Sequence, residues 1–202
     1  DPARIVLTGH SMGGHGTWHV GLTHPDLFAG IGAAAGWSSF FSYAGLSRAQ
    51  EENPMSALMN RCSSPSDTLS LVRNSLHYLV YILHGDADDN VPVTEARLMR
   101  SALLPFHKNL HYFEVPGAGH WWSNESVDFP AMFAEFKGIR LTDPRLIDHV
   151  EFVTANPGVS SRCDWAEILQ QEKAMTFSRI NLDQQGRRVV GTTENVAQLA
   201  LD

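Results

Sequence analysis

Ser11 stands at the centre of Gly9-His10-Ser11-Met12-Gly13, a G-x-S-x-G pentapeptide. A serine flanked by glycines in this way can sit on a turn tight enough to push its hydroxyl away from the chain, as a nucleophile requires. A hydroxyl is a weak nucleophile near neutral pH. It needs a base to take its proton and an acid to orient that base. Two later stretches offer such groups. His84-Gly85-Asp86-Ala87-Asp88-Asp89-Asn90-Val91-Pro92 supplies three carboxylates, and Pro116-Gly117-Ala118-Gly119-His120 supplies a histidine on a glycine-flanked loop. Serine, carboxylate and histidine in that chain order suit covalent acyl transfer. Spacing alone leaves Asp86, Asp88 and Asp89 all open as the acid. Met12 follows the serine, and its backbone N–H is placed to stabilise an oxyanion at the start of a helix.

Such groups work together only if strands and helices hold them at one edge. Residues 4–8 (RIVLT) form a short apolar run that reads as a strand buried on both faces. Residues 9–16 are glycine-rich and predict a sharp turn, with Gly9 and Gly13 as positions where a Cβ would clash. A helix is expected over 17–24, stopped by Pro25. Residues 28–37 are small and apolar, a second buried strand, and 79–83 and 110–115 a third and a fourth. Pro92 opens a helix running to residue 104 with Ala96, Met99 and Leu103 on one face, and 130–136 forms a short helix. Residues 38–77 are polar and irregular, expected as helical turns over the sheet edge. Strands alternating with helices predict a parallel α/β sheet, and both candidate loops follow strand ends, where such sheets build their sites.

The pattern changes near residue 146. Strands are expected over 150–154, 165–170, 176–182, 188–193 and 197–201, with a hairpin turn at 183–186 in which Gly186 supplies positive φ. The chain therefore divides into an α/β part, residues 1–145, and a β-rich part, residues 146–202.

With 202 residues, 43% of them hydrophobic, the chain can bury one core and a small second one. Its net charge of -7 comes with no basic face, which argues against a nucleic-acid partner. The longest apolar stretches are strand-sized, so no membrane span is expected. Cys62 and Cys163 are free to pair or stay reduced, and Asn124-Glu125-Ser126 is a glycosylation sequon that matters only in a secreted protein. The compartment stays open. His15 and His19 are spaced to share a helical face but lack a third ligand nearby, so no metal is expected. Trp121 and Trp122 follow His120 directly. They can wall a substrate pocket or pack against the helix at 130–136.

GHSMGG, HGDADDNVP and the GAGH loop together resemble the catalytic domain of the prolyl oligopeptidase and dipeptidyl peptidase family of serine hydrolases, over roughly residues 1–140. The resemblance implies an α/β-hydrolase fold with Ser11 as nucleophile, Asp88 as acid and His120 as base. It implies no cofactor. In that fold several strands precede the serine turn, and an earlier loop donates the second oxyanion N–H. The chain is therefore expected to be the C-terminal part of a longer protein, whose N-terminal part is its partner. Asn156-Pro157-Gly158 and residues 193–202 look like an extension found in some large prolyl-oligopeptidase-like hydrolases. Peptide-bond cleavage is the implied activity. A carboxylic-ester hydrolase would use the same triad. A catalytically silent binding scaffold is the alternative from another class, and the complete set of Ser11, Asp88 and His120 argues against it.

Overall fold

The computed structural model describes residues 1–43 and 53–202. Four parallel strands, β1 (Val6–His10), β2 (Gly30–Ala34), β3 (Leu79–Gly85) and β4 (Leu110–Val115), form one sheet in chain order. Helix α1 (Met12–Thr23) crosses from β1 to β2. Between β2 and β3 come the short α2 (Phe40–Tyr43), α3 (Pro54–Ser63) and a 3₁₀ stretch, Thr68–Ser75. The irregular helical turns expected over 38–77 are thus present where that span is described; residues 44–52 lie outside the described residues. Helix α4 (Thr94–Leu103) links β3 to β4, and α5 (Pro130–Phe136) follows β4.

Alternation along β3 explains why that strand is apolar throughout. Val80 and Ile82 face a layer made by Trp18 and Leu22 of α1 and by Ala96, Met99 and Leu103 of α4. Leu79, Tyr81 and Leu83 point the other way, onto Met132 and Phe136 of α5. All seven residues of β3 are buried, as a strand covered by helices on both faces must be.

The first helix corrects the sequence reading. It starts at Met12, five residues before the expected position 17, and takes Gly13, Gly14 and Gly16 into its first turns. Glycine disfavours helix by about 1 kcal/mol relative to alanine. Close packing overrides that preference at Gly14, where a Cβ would stand 2.4 Å from the carbonyl oxygen of Ala34 and 2.8 Å from Cα of Gly36. The expected clash holds at Gly9, whose Cβ would lie 2.2 Å from the Gly13 carbonyl oxygen. It does not hold at Gly13, where a Cβ would meet nothing within 4 Å.

Beyond the α/β part lie two three-stranded antiparallel sheets. The strands are β5 (His149–Thr154), β6 (Arg162–Cys163), β7 (Ala166–Gln170), β8 (Ser178–Gln185), β9 (Arg188–Glu194) and β10 (Gln198–Leu201). One sheet runs β5-β8-β9 and the other β10-β7-β6. They enclose Val150, Phe152, Trp165, Ile168, Ile180 and Leu182. The indole N–H of Trp165 donates to the Ile147 carbonyl at 2.7 Å. The hairpin turn sits later than expected. Gln185 still pairs with Arg188, and Gly186, at φ +65°, makes the tip. The two-residue β6 was too short to leave a periodic signal.

Asn74 fastens this β-rich segment to the α/β part. Its amide donates to the carbonyls of Leu22 and Val153 at 2.7 and 2.8 Å, and its oxygen accepts from the Val153 N–H at 2.8 Å. Arg73 adds a two-pronged ion pair to Glu151 on β5. Cys62 is exposed and Cys163 buried, and both are free thiols.

Candidate active site

β1 ends at His10 and α1 begins at Met12, so Ser11 alone makes the turn between them. Its backbone is strained, at φ 59° and ψ -118°, a region L-residues rarely occupy. Three features hold it there. The Ser11 N–H donates to the Ala34 carbonyl at 2.9 Å, its own carbonyl accepts the first helical bond from His15 at 3.1 Å, and Gly9 lets the helix close down on the strand. The N–H groups of the first helical turn, beginning with Met12, precede that first bond and have no intrahelical partner. Met12 itself is 74% exposed.

The loop after β4 reaches back over the end of β3. A Cβ on Gly85 would stand 2.4 and 2.5 Å from the carbonyl oxygens of Ala118 and Gly119, so this approach needs glycine. Gly117, at φ +70°, makes the bend. The Ala87 N–H donates to the Ala118 carbonyl at 3.0 Å, and the Gly117 N–H to the Asp86 carboxylate at 2.6 Å.

His120, at the end of this loop, lies between two partners. Its Nδ1 is 2.8 Å from Oδ2 of Asp88, and its Nε2 is 2.8 Å from Oγ of Ser11. A carboxylate only accepts, so Nδ1 carries the hydrogen, and Nε2 is left to accept from the serine hydroxyl. The Asp88 side chain is shut off from solvent. Burial pushes its carboxyl pKa up. The bond from His120 and those from the Asn90 and Val91 N–H groups, both at 2.9 Å, outweigh burial and bring the pKa below the ordinary value. Asp88 therefore stays ionised. Asp86 holds loop backbone instead of the imidazole, and Asp89 is exposed.

The two tryptophans part company. Trp121 is 65% exposed beside His120. Trp122 turns inward to the layer containing Met132 and Phe136. Its indole N–H is buried with no hydrogen-bond partner among the described residues. Two histidines that the sequence reading did not single out for the site also touch it. His84 Nε2 donates to the Val91 carbonyl at 2.9 Å and lies 3.2 Å from Oδ2 of Asp88; burial keeps its pKa low and the ring neutral. His10 Nε2 lies 2.8 Å from the His120 carbonyl oxygen. The available signal was a histidine near the C-terminal end of a strand: His10 is the last residue of β1 and His84 the last but one of β3. His15 is tied through Nδ1 to the Trp37 carbonyl at 3.1 Å, and among the described residues no three His, Cys, Asp or Glu side chains converge as metal ligands would.

A parallel sheet with a strained serine turn after one strand, and loops from two later strands converging on it, is the architecture of the α/β-hydrolases. Within that class the chain belongs to the prolyl oligopeptidase family of serine hydrolases, whose family model matches residues 1–136. An uncharacterized secreted protein from Arthroderma benhamiae is 33% identical over 119 residues, 58% of this chain and 13% of that protein. The fold also matches a protein of Bacteroides ovatus proposed to be a dipeptidyl aminopeptidase IV (TM-score 0.55, 21% identity, 69% of this chain and 20% of that one). A third likeness is to an acylaminoacyl peptidase from Pyrococcus horikoshii (TM-score 0.52, 22% identity, 67% of this chain and 24% of that one). The chain thus spans a quarter or less of the length of these relatives. No helix among the described residues is long and apolar enough to cross a membrane.

Proposed function

We propose that this chain carries the catalytic centre of a serine peptidase, with Ser11 as nucleophile, His120 as general base and Asp88 as the acid that orients His120. The observation that carries this reading is the position of the His120 ring, 2.8 Å from Ser11 on one side and 2.8 Å from Asp88 on the other. His120 Nε2 takes the proton from Ser11 as Oγ attacks the substrate carbonyl carbon. Asp88, held ionised by its hydrogen bonds, stabilises the imidazolium that results. The Met12 N–H, at the positive end of α1, faces the developing oxyanion. His120 then gives its proton to the leaving amine. An acyl group remains on Ser11 until water, deprotonated by the same histidine, releases it.

The exposed face of Trp121 offers apolar surface to the substrate. Trp122, turned into the core layer, supports the loop from behind. Residues 1–145 form the catalytic unit in this reading, and residues 146–202 an appended β-rich unit. Membership of the prolyl oligopeptidase family favours peptides over esters as substrates. The test is a substrate panel on the full-length protein beside its Ser11→Ala variant. Serine-dependent cleavage of peptidyl-proline amides is expected. Turnover confined to activated or sugar esters would make the protein an esterase with the same triad, and no turnover of either class would support the silent scaffold.

A further inference from the structure

We infer that His10 is a positioning residue, which clamps the His120 loop to the nucleophile turn through a hydrogen bond to the carbonyl of His120 itself. The inference rests on the reading above, in which His120 is the base.

The geometry is specific. His10 is the last residue of β1 and directly precedes Ser11, so its backbone is fixed by the same strand that fixes the nucleophile. Its ring is buried, and Nε2 lies 2.8 Å from the carbonyl oxygen of His120. A carbonyl oxygen only accepts, so Nε2 must carry the hydrogen. Nδ1 is then bare in the neutral ring, and it is buried with no hydrogen-bond partner among the described residues. Trp121 lies across the His10 ring, with centroids 3.9 Å apart, and shields the bond from one side. The rings of His10 and His120 are 4.8 Å apart. A charged His10 at that distance would oppose the charge that His120 must take up in catalysis. Burial lowers the His10 pKa and favours the neutral ring.

The loop needs this clamp because of its composition. Pro116-Gly117-Ala118-Gly119 leads into His120, and its two glycines leave the backbone free to rotate. On the acid side the loop is held at Gly117 and Ala118, through Asp86 and Ala87. Both anchors lie before His120. The His10 bond reaches the loop at His120 itself, from the nucleophile side. Releasing it frees the His120 peptide to turn, and a small turn there moves the imbedded ring off the Ser11–Asp88 line. The loss then falls on proton transfer, in kcat, rather than on substrate binding.

The test compares His10→Gln with His10→Met in the full-length protein. The two side chains have nearly the same shape, but only glutamine can donate to the His120 carbonyl. The readouts are the rate of fluorophosphonate labelling of Ser11 and the separate values of kcat and KM, with thermal melts to confirm folding. The methionine variant is expected to label about ten-fold more slowly than the glutamine variant, with kcat reduced alike and KM unchanged. If methionine at this site does not fold, His10→Phe takes its place, filling the volume without a donor. Equal rates for donor and non-donor variants overturn the inference and make His10 a core-filling ring. A loss confined to KM overturns it too. Labelling of the parent protein that persists in Ser11→Ala would instead sink the reading of Ser11 as nucleophile, so the two failures are distinguishable.

Discussion

Gly14→Ala should damage both stability and activity, whereas Gly16→Ala, two residues along the same helix, should damage neither. At Gly14 the new Cβ would stand 2.4 Å from the Ala34 carbonyl oxygen, 2.8 Å from Gly36 Cα and 2.9 Å from Gly36 N. All three are backbone atoms of β2 and the turn after it, so no side chain can swing aside. Relief requires α1 to lift off the sheet by about 1 Å, given that ordinary carbon contacts begin near 3.5 Å. Overpacking of this kind costs roughly 1–3 kcal/mol, against a gain of about 1 kcal/mol for alanine over glycine in a helix. A net loss of up to about 2 kcal/mol corresponds to a fall in Tm of up to roughly 8 °C for a chain of this size. The first turn of α1 carries the Met12 N–H and fixes Ser11, and a displacement near 1 Å at a reacting centre can cost about 10²-fold in rate. At Gly16 a Cβ meets nothing within 4 Å, so only the helix preference remains, a gain of up to about 1 kcal/mol. Thermal melts and ester or peptide hydrolysis on the purified variants measure both effects. A Gly14→Ala protein as stable and active as its parent would refute the close-packing argument. So would a Gly16→Ala protein that loses as much as Gly14→Ala.

Asn74→Leu should loosen the β-rich segment, because it strands the Leu22 and Val153 carbonyls and the Val153 N–H in a site where Asn74 is 2% exposed. Urea unfolding should show a loss of about 3–5 kcal/mol, and a loss below about 1 kcal/mol would contradict the anchoring role. Asp88→Asn preserves shape but removes the acceptor that fixes the His120 tautomer, so kcat should fall by about 10⁴. Asp86→Asn should stay within about ten-fold of the parent, since Asp86 binds loop backbone; the reverse ranking would reassign the acid. Glu114 is bound by Arg97 at 2.9 and 2.6 Å, and its carboxyl pKa falls to about 2. A carboxyl with a depressed pKa stabilises the fold above its ordinary value and loses that contribution as pH falls towards about 2. The Tm difference between the parent and Glu114→Gln should therefore be present at neutral pH and close in acid; a gap that widens in acid would have the wrong sign.

What was legible in the sequence depended on how local its cause was. β3 could be read directly, because a strand covered on both faces must be apolar at every position. The face of α4 made by Ala96, Met99 and Leu103 was readable for the same reason, since all three sit in the core. The start of α1 was not. Three early glycines look like a turn to any local rule, and Gly14 is tolerated in the helix only because β2 and Gly36 lie against it. Chain order picked out Ser11, His120 and a group of three carboxylates, and the family resemblance chose Asp88 among them; the Ser11, His120 and Asp88 side chains lie within hydrogen-bonding distance in one line. Spacing could not separate Asp88 from Asp86, because the difference lies in which carboxylate the Gly117 N–H occupies. His10 and His84 were equally hidden. Their partners are carbonyl oxygens of His120 and Val91, and backbone groups leave no mark on the sequence. In the β-rich segment strand existence was legible, but the two-residue β6 and the place of the hairpin tip were set by pairing across strands.

Ser11 as the nucleophile is the claim on which everything else stands, and a mass measurement reaches it most directly. The full-length protein is treated with a fluorophosphonate, digested, and its peptides weighed. The peptide containing Ser11 should gain one phosphonyl group. Ser11→Ala should gain none anywhere, and His120→Ala should react slower by about 10³ or more. An adduct on a different serine, or labelling that survives unchanged in Ser11→Ala, would contradict it.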